Sequence, residues 1–194
     1  MAYTSIDDPT LYFNTKLYTG TGSTQSITGV GFQPDFVWLK DRSASNNHGL
    51  SDVVRGVTQR LVTNSTGAES TQSGGTTSFD SDGFSLGTFV YANTSGNNYV
   101  SWNWKAGGTA SSNTDGSITS TVSANTTSGF SIVSWTASGS GTPTIGHGLG
   151  AVPSMIIMKP RSLGSSNWSV YHAALGNAKA IRLNNTSAAF SSYF

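Results

Sequence analysis

The chain has 194 residues, a formal net charge of +1, no cysteine and only 10% charged residues. A nearly neutral chain without a Lys or Arg cluster has nothing to bind a phosphate backbone, so nucleic acid is excluded as an expected partner. The missing cysteines exclude disulfides, thiolate metal sites and thiol nucleophiles. Ser, Thr, Gly and Asn make up nearly half of the residues, a composition that disfavours helices. We therefore predict an all-β protein.

Runs of strand length, alternating or β-branched and each followed by turn residues, recur along the chain. They are 13–19, 35–40, 84–91, 99–105, 117–123, 130–136, 155–159 and 180–183. Pro34 and Pro153 stand immediately before two of these runs, where the missing N–H costs a strand nothing. Short strands between Gly-rich turns predict an antiparallel β-sandwich of the jelly-roll or concanavalin-like kind.

One stretch of the first half, residues 48–58, has a different spacing. Its apolar residues recur at helical intervals, so we predict a short helical turn or a packed loop there. These apolar residues are Leu50, Val53, Val54 and Val57.

One sequence pattern occurs twice in the chain. Residues 29–43 (GVGFQPDFVWLKDRS) reappear without a gap, 119 positions later, as residues 148–162 (GLGAVPSMIIMKPRS). Shorter matches flank this block in the same order. A repeat unit of this length indicates tandem copies of one domain rather than a solenoid.

The repeat divides the chain into domains. We predict a first module at 1–108, a polar linker at 109–116 and a second, truncated copy at 117–194. Copy two ends opposite about Gly74 of copy one, so it lacks counterparts of the strands that complete copy one. Either the chain is a piece of a longer protein, which we favour, or a neighbouring chain supplies the missing strands.

Two tryptophans are candidate ligand-binding residues. Trp102 and Trp104 are two residues apart, so on a strand both indoles project from one face. If that face is exposed, the pair suits stacking on the sugar rings of a glycan. We favour the alternative, in which they face the sandwich core together with Val100. Trp38 and Phe36 are predicted to be core residues by the same alternation.

Metal binding and catalysis have little support. Asp80 and Asp82 are spaced as in a calcium loop, and carboxylate oxygens suit a hard cation. Further acidic ligands are missing, however, and we favour an ordinary Asp-x-Asp-Gly turn. The three histidines lack metal-ligand spacing, and no Gly-x-Ser-x-Gly elbow occurs. We predict no catalytic residue, no resident metal and no cofactor.

Four basic residues are shared by the two copies. Lys40 and Arg42 reappear as Lys159 and Arg161. Each pair lies at the end of a predicted strand with both side chains on one side, which suits an interface with a neighbouring unit or an acidic surface. An equally sound interpretation is that they are solvated edge charges that discourage strand pairing.

Four motifs in the first copy occur in a fixed order, at residues 31–43, 52–56, 79–84 and 99–108. Together they resemble the repeated module of tail-fibre-like and other virion proteins of marine bacteriophages, such as those infecting cyanobacteria. The resemblance covers about residues 1–108 and, in diverged form, 117–194. It implies a concanavalin-like β-sandwich on the virion surface and brings no catalytic residues with it.

We therefore expect a non-enzymatic virion structural protein, a tail fibre or surface appendage that attaches to other virion proteins and takes part in host adhesion. We expect a homo-oligomer and favour a trimer. The Met1 start lacks a secretory leader and no apolar run reaches the roughly 18 residues of a spanning helix, so we expect assembly in the host bacterial cytoplasm without membrane insertion. The alternatives are a module that binds a host surface glycan and a capsid decoration protein.

Overall fold

The computed structural model describes residues 6–139 and 141–191, and the predictions about the two chain ends, Met1 and Phe194, lie outside them. The described residues form short antiparallel strands, as the predicted all-β class requires. The strands are β1 (Phe13–Thr19), β2 (Gln25–Thr28), β3 (Phe36–Asp41), β4 (Gly49–Asp52), β5 (Gly56–Leu61), β6 (Ser70–Thr71), β7 (Thr76–Asp80), β8 (Gly83–Leu86), β9 (Asn98–Trp104), β10 (Ser111–Asn113), β11 (Ser120–Asn125), β12 (Phe130–Trp135), β13 (Met155–Met158), β14 (Ser169–His172), β15 (Lys179–Arg182) and β16 (Phe190–Ser191). One short helix, α1 (Val90–Asn93), and two 3-10 turns, at Pro9–Leu11 and Ala173–Leu175, complete the described elements.

The first half of the chain, residues 6–108, contains two sheets packed face to face. The larger has the strand order β1-β9-β3-β4-β5-β6 and the smaller the order β2-β8-β7. β9 lies between β1 and β3, so Trp102 is paired with both Thr15 and Trp38. The core between the two sheets is formed by alternate residues of the facing strands, which point inward and are apolar. It consists of Ile27, Val37, Leu39, Phe84, Leu86 and Ala92.

The second half, residues 109–191, contains a sheet of order β10-β11-β12 and a sheet of order β13-β14-β15-β16. Its pairing follows that of the first half at a shift of 119 or 120 residues. The β3–β4 pair Phe36↔Asp52 corresponds to the β13–β14 pair Met155↔His172. The β5–β6 ladder has the same relation to the β15–β16 ladder.

Side-chain hydrogen bonds follow the same shift. The backbone N–H of His48 donates to Asn64 Oδ1 at 3.0 Å, and 120 residues later the backbone N–H of Trp168 donates to Asn184 Oδ1 at 2.9 Å. Both bonds fix the entry to a strand, β4 in the first half and β14 in the second. Two asparagine side chains 120 residues apart thus make the same kind of hydrogen bond.

The two halves pack against each other through Trp168, whose side chain is only 4% exposed. It forms one apolar cluster with Leu50 and Leu61 of the first half, against which Phe36 also packs. The indole Nε1–H donates to the carbonyl of Val62 at 3.0 Å. This residue therefore joins the halves by both apolar burial and a hydrogen bond.

Two local predictions were wrong. The stretch 48–58 is a β-hairpin of β4 and β5 rather than a helical turn. Its turn is fixed by Asp52 Oδ1, which accepts the N–H groups of Val54 and Arg55 at 3.0 and 2.9 Å. The predicted strand at 84–91 ends at Leu86 and is followed by α1. The segment 109–116, predicted as a linker, contains β10, which pairs with β11.

Candidate functional site

A groove of about 1010 Å³ lies between β12 and β13 and is here called the β12–β13 groove. One wall is the end of β12 and the residues after it. The other wall is the end of β13 and the loop that follows, with β14 and β15 behind it. The lining of the groove includes Glu69, Trp135, Met158, Arg161, Ser169 and Arg182.

The groove is bounded by two strand edges. β12 is the last strand of its sheet and β13 the first strand of the next, so each has one edge without a neighbouring strand among the described residues. The backbone N–H of Ala173 donates to the carbonyl of Ser154. Ser154 and every second residue after it in β13 therefore direct their backbone N–H and C=O groups toward β14. Because alternate residues of an antiparallel strand point their N–H groups to opposite sides, Met155 and Ile157 direct theirs away from β14, toward the open edge.

The groove wall mixes an exposed aromatic side chain with hydroxyl, amide and cationic groups. Trp135 is 38% exposed. Lys159 Nζ donates to the carbonyls of Thr66 and Leu163 at 3.2 and 3.3 Å, and burial lowers its pKa below the ordinary value. The Arg182 guanidinium lies 4.0 Å from the centre of the Phe190 ring, a favourable cation–π distance.

An ion-pair network closes one end of the groove and joins the two halves. Arg161 Nη2 and Nε bind the two carboxylate oxygens of Glu69 at 2.7 and 3.0 Å, and Arg161 Nη1 donates to Ser134 Oγ at 2.9 Å. Glu69 also accepts from Arg55 Nη1 at 2.9 Å, and Arg55 Nε binds Asp52 at 2.6 Å. The bidentate Arg161–Glu69 contact fixes both position and orientation.

Burial alone would raise the pKa of the Glu69 carboxyl, but hydrogen bonds from Arg161 and Arg55 outweigh it and lower the pKa below its ordinary value of 4.5. The charged form of Glu69 is therefore the form that the fold stabilises.

The lowered pKa of Glu69 predicts how the stability of the Glu69→Gln variant, relative to the parent, depends on pH. A lowered folded pKa means that the stabilisation is fully present above pH 4.5 and is lost as the pH falls through the lowered value. We expect the variant to be less stable than the parent by about 2 kcal/mol at pH 7, and the difference to shrink as the pH falls below 4.5 and through the lowered folded pKa of Glu69. Urea unfolding of both proteins at several pH values measures it; a difference that does not change with pH would contradict the assignment.

The four basic residues predicted as interface candidates have different environments. Lys40 Nζ donates to the carbonyls of Ala44 and Asn46 in its own loop, at 3.1 and 3.0 Å, and the side chain of Arg42 is exposed. Lys159 and Arg161 both line the β12–β13 groove. The structure thus brings one pair of the four to the groove and leaves the other pair elsewhere.

Trp102 and Trp104 do not face the sandwich core, and the expectation that they do was wrong. The alternate residues of β9, including Tyr99, take the inward positions, and Tyr99 is fully buried against Tyr18. The two indoles are half-buried on the opposite face. Trp104 packs among the rings of Phe13, Phe36 and Phe130, at centroid distances of 4.7, 5.2 and 6.0 Å.

Asp80 and Asp82 serve the turn between β7 and β8 and its neighbours. Asp82 accepts the N–H groups of Gly29 and Gly31 at 2.9 and 2.6 Å, and these bonds lower its pKa. Asp80 accepts from the hydroxyl of Ser85 at 2.7 Å. In the described part of the chain, no three His, Cys, Asp or Glu side chains come together as a metal site would require.

Sequence reasoning missed the two side chains that mark the groove, Trp135 and Glu69. Glu69 had one available signal, since it is the single glutamate of the chain. Its partner Arg161 is 92 residues away in sequence, so their contact depends on the tertiary structure. Trp135 lies at the end of a correctly predicted strand, but the open neighbouring edge that exposes it had no local signal.

Two halves of antiparallel sheets, joined by a buried tryptophan and an ion-pair network, define an all-β protein with an open groove between β12 and β13. The chain belongs to the DUF7483 family, described as a domain of unknown function, whose pattern matches residues 8–193 and so runs through both halves. The chain matches no curated protein and no solved structure. Within the described ranges, no helix combines the length and apolar character needed to cross a membrane.

Proposed function

We propose that this protein is a non-enzymatic structural component of a bacteriophage particle, a tail fibre or surface appendage. In this proposal two copies of a concanavalin-like β-sandwich stand in tandem, and the second copy is left open for assembly. The observation that carries the proposal is the β12–β13 groove, because its two unpaired strand edges form a template for further strand pairing.

The repeated geometry supports the two-copy organisation. The shared sequence block, the shared strand registers and the shared asparagine hydrogen bonds all occur at a shift of 119 or 120 residues. In the first half β9 lies between β1 and β3. At the equivalent place in the second half, between β12 and β13, the described residues leave the groove.

The proposal is tested on the particle and in solution. We expect mass spectrometry to find the protein in purified virions, and light scattering to give about three times the 20.2 kDa chain mass for the soluble protein. A monomer that never enters particles would overturn it. A copy number in the hundreds per particle would instead indicate a capsid decoration protein.

A second candidate function, binding of a host surface glycan, is favoured by one observation. Trp135 presents part of its indole to a groove that also contains the polar side chains of Ser166 and Asn167. Aromatic stacking with polar groups beside it suits a sugar. Trp102 and Trp104 are weaker candidates, because neighbouring rings already cover part of each indole.

The glycan hypothesis is tested by replacing Trp135 with alanine. If a glycan binds the groove, the variant loses affinity on a glycan array while its unfolding transition stays cooperative. Trp102→Ala is the matched control, with a partly covered indole outside the groove lining. Binding that depends on Trp102 and not on Trp135 would assign the sugar site to β9.

A further inference from the structure

We propose that the β12–β13 groove binds an extended strand with the alternating side-chain pattern of β9, supplied from outside the described residues. The strand runs antiparallel to both β12 and β13, as β9 runs antiparallel to β1 and β3. The inference rests on the two-copy organisation proposed above and names the occupant of the open copy: an extended segment in which aromatic and small polar side chains alternate.

In the first half, the position that corresponds to the groove is occupied by a strand, β9. There β9 contributes pairs on both sides, with Val100 opposite Leu17 of β1 and Lys40 of β3. Residues 13–22, which include β1, match residues 130–139 at a shift of 117, and β3 matches β13 at a shift of 119. The two flanking positions therefore correspond to Ser134 and Lys159, and both line the groove. The groove therefore lies at the position that corresponds to β9 of the first half.

The backbone of β13 is ready to pair with such a strand. In the first half, Arg42 donates its N–H to the carbonyl of Asn98 in β9 at 2.7 Å, so Trp38 points its own N–H to β9 by the same alternation. Ile157 is the counterpart of Trp38 and is 39% exposed. Its N–H, directed away from β14, is the donor that the incoming strand would satisfy.

The side chains of the groove suit the inward face of that strand. In β9 the inward residues Tyr99, Ser101 and Asn103 are each fully buried. The groove offers Met158 and Trp135 as apolar surface, with hydroxyl and guanidinium groups beside them. A strand that alternates aromatic and small polar side chains therefore finds both apolar contacts and hydrogen-bond partners.

Among residues 6–139 and 141–191, no strand is free to fill the groove. β9 is held between β1 and β3, and β10 is paired with β11. A folded second copy of these residues holds its own β9 in the same way and could donate it only by unfolding its larger sheet. These constraints favour an extended segment from outside the described residues, bound by strand addition with main-chain hydrogen bonds for affinity and side-chain contacts for specificity.

The test uses a synthetic peptide of residues 97–105 (NNYVSWNWK) as the probe, added to the whole protein and followed by isothermal titration calorimetry. We expect one peptide to bind per chain. The same peptide with Ser101→Pro should bind at least about tenfold more weakly, because proline removes a ladder donor and resists a central strand position.

Two protein variants place the binding in the groove. Ile157→Pro removes the outward N–H of β13 and should weaken peptide binding by about tenfold or more. Ser169→Trp fills the groove from β14 and should abolish binding by steric exclusion, which keeps the test decisive if the proline variant does not fold. Val152→Ala, at a side chain 90% exposed and outside the groove lining, is the matched control and should bind as the parent does.

Four results would overturn the inference. If the folded protein does not bind the peptide, the groove is not a strand site. If the Ser169→Trp variant binds the peptide as the parent does, the binding site lies outside the groove. Self-association that Ser169→Trp abolishes would make a second copy the occupant, and displacement of the peptide by a glycan would make the groove a sugar site. Peptide binding by a protein that is absent from virions would instead refute the proposed function and leave the strand site standing.

Discussion

Replacing Arg55 with alanine is expected to lower the free energy of unfolding by about 3–5 kcal/mol, because it leaves buried carboxylates without their partner. The side chain of Arg55 is 5% exposed and that of Asp52 4%. Arg55 also donates to the carbonyls of Leu50 and Gln59, at 3.1 and 3.3 Å. Its loss therefore opens the β4–β5 hairpin as well as the ion-pair network. Urea unfolding at pH 7 measures the change.

A matched variant separates this effect from a general loss of charge. Arg42→Ala removes an exposed guanidinium from the same half and should change stability by less than about 0.5 kcal/mol. Equal losses for the two variants would mean that the buried network does not carry the stability assigned to it.

Replacing Trp168 with alanine is expected to cost about 3–5 kcal/mol, the usual range for removing a large buried aromatic side chain. The indole fills the apolar cluster between the halves, and its removal leaves the carbonyl of Val62 with only the longer hydrogen bond from the N–H of Ser65, at 3.3 Å. Thermal or urea unfolding measures the loss. Trp168→Phe keeps most of the apolar contact and loses the hydrogen bond, so it should cost less.

Trp135→Ala is the control for this second prediction. The same residue type is removed from the same half, but at a side chain 38% exposed in the groove, so we expect a loss of about 1 kcal/mol or less. A Trp168→Ala protein as stable as Trp135→Ala would contradict the packing of the two halves through this residue.

The sequence predicted long, alternating strands well and short ones poorly. β1 was predicted with its observed bounds, because its alternation is regular and turn residues end it. β4 and β14 have four residues each, too few for the alternation to be recognised. In the hairpin of β4 and β5, the turn places Val53 and Val54 between two apolar strand residues, and this spacing imitates a helix. Asp52, whose side chain forms the turn, carried the missing information.

The candidate site was largely invisible in the sequence because it arises from tertiary arrangement. The repeat indicated that the last strands of a module have no counterpart in the second copy, but it could not show that a groove lies at that place. Lys159 and Arg161 were identified as candidates through the repeat. Their partners in the first half, the carbonyl of Thr66 and the carboxylate of Glu69, are 93 and 92 residues distant in sequence.

An open strand position in the second half is tested most directly by comparing the hydrogen exchange of two backbone amides in the free protein. The N–H of Trp38 points to β9, whereas the N–H of Ile157, 119 residues later, points to the groove. We expect strong protection at Trp38 and rapid exchange at Ile157, with protection appearing at Ile157 when the strand peptide is added. Equal protection of the two amides without any partner would contradict it.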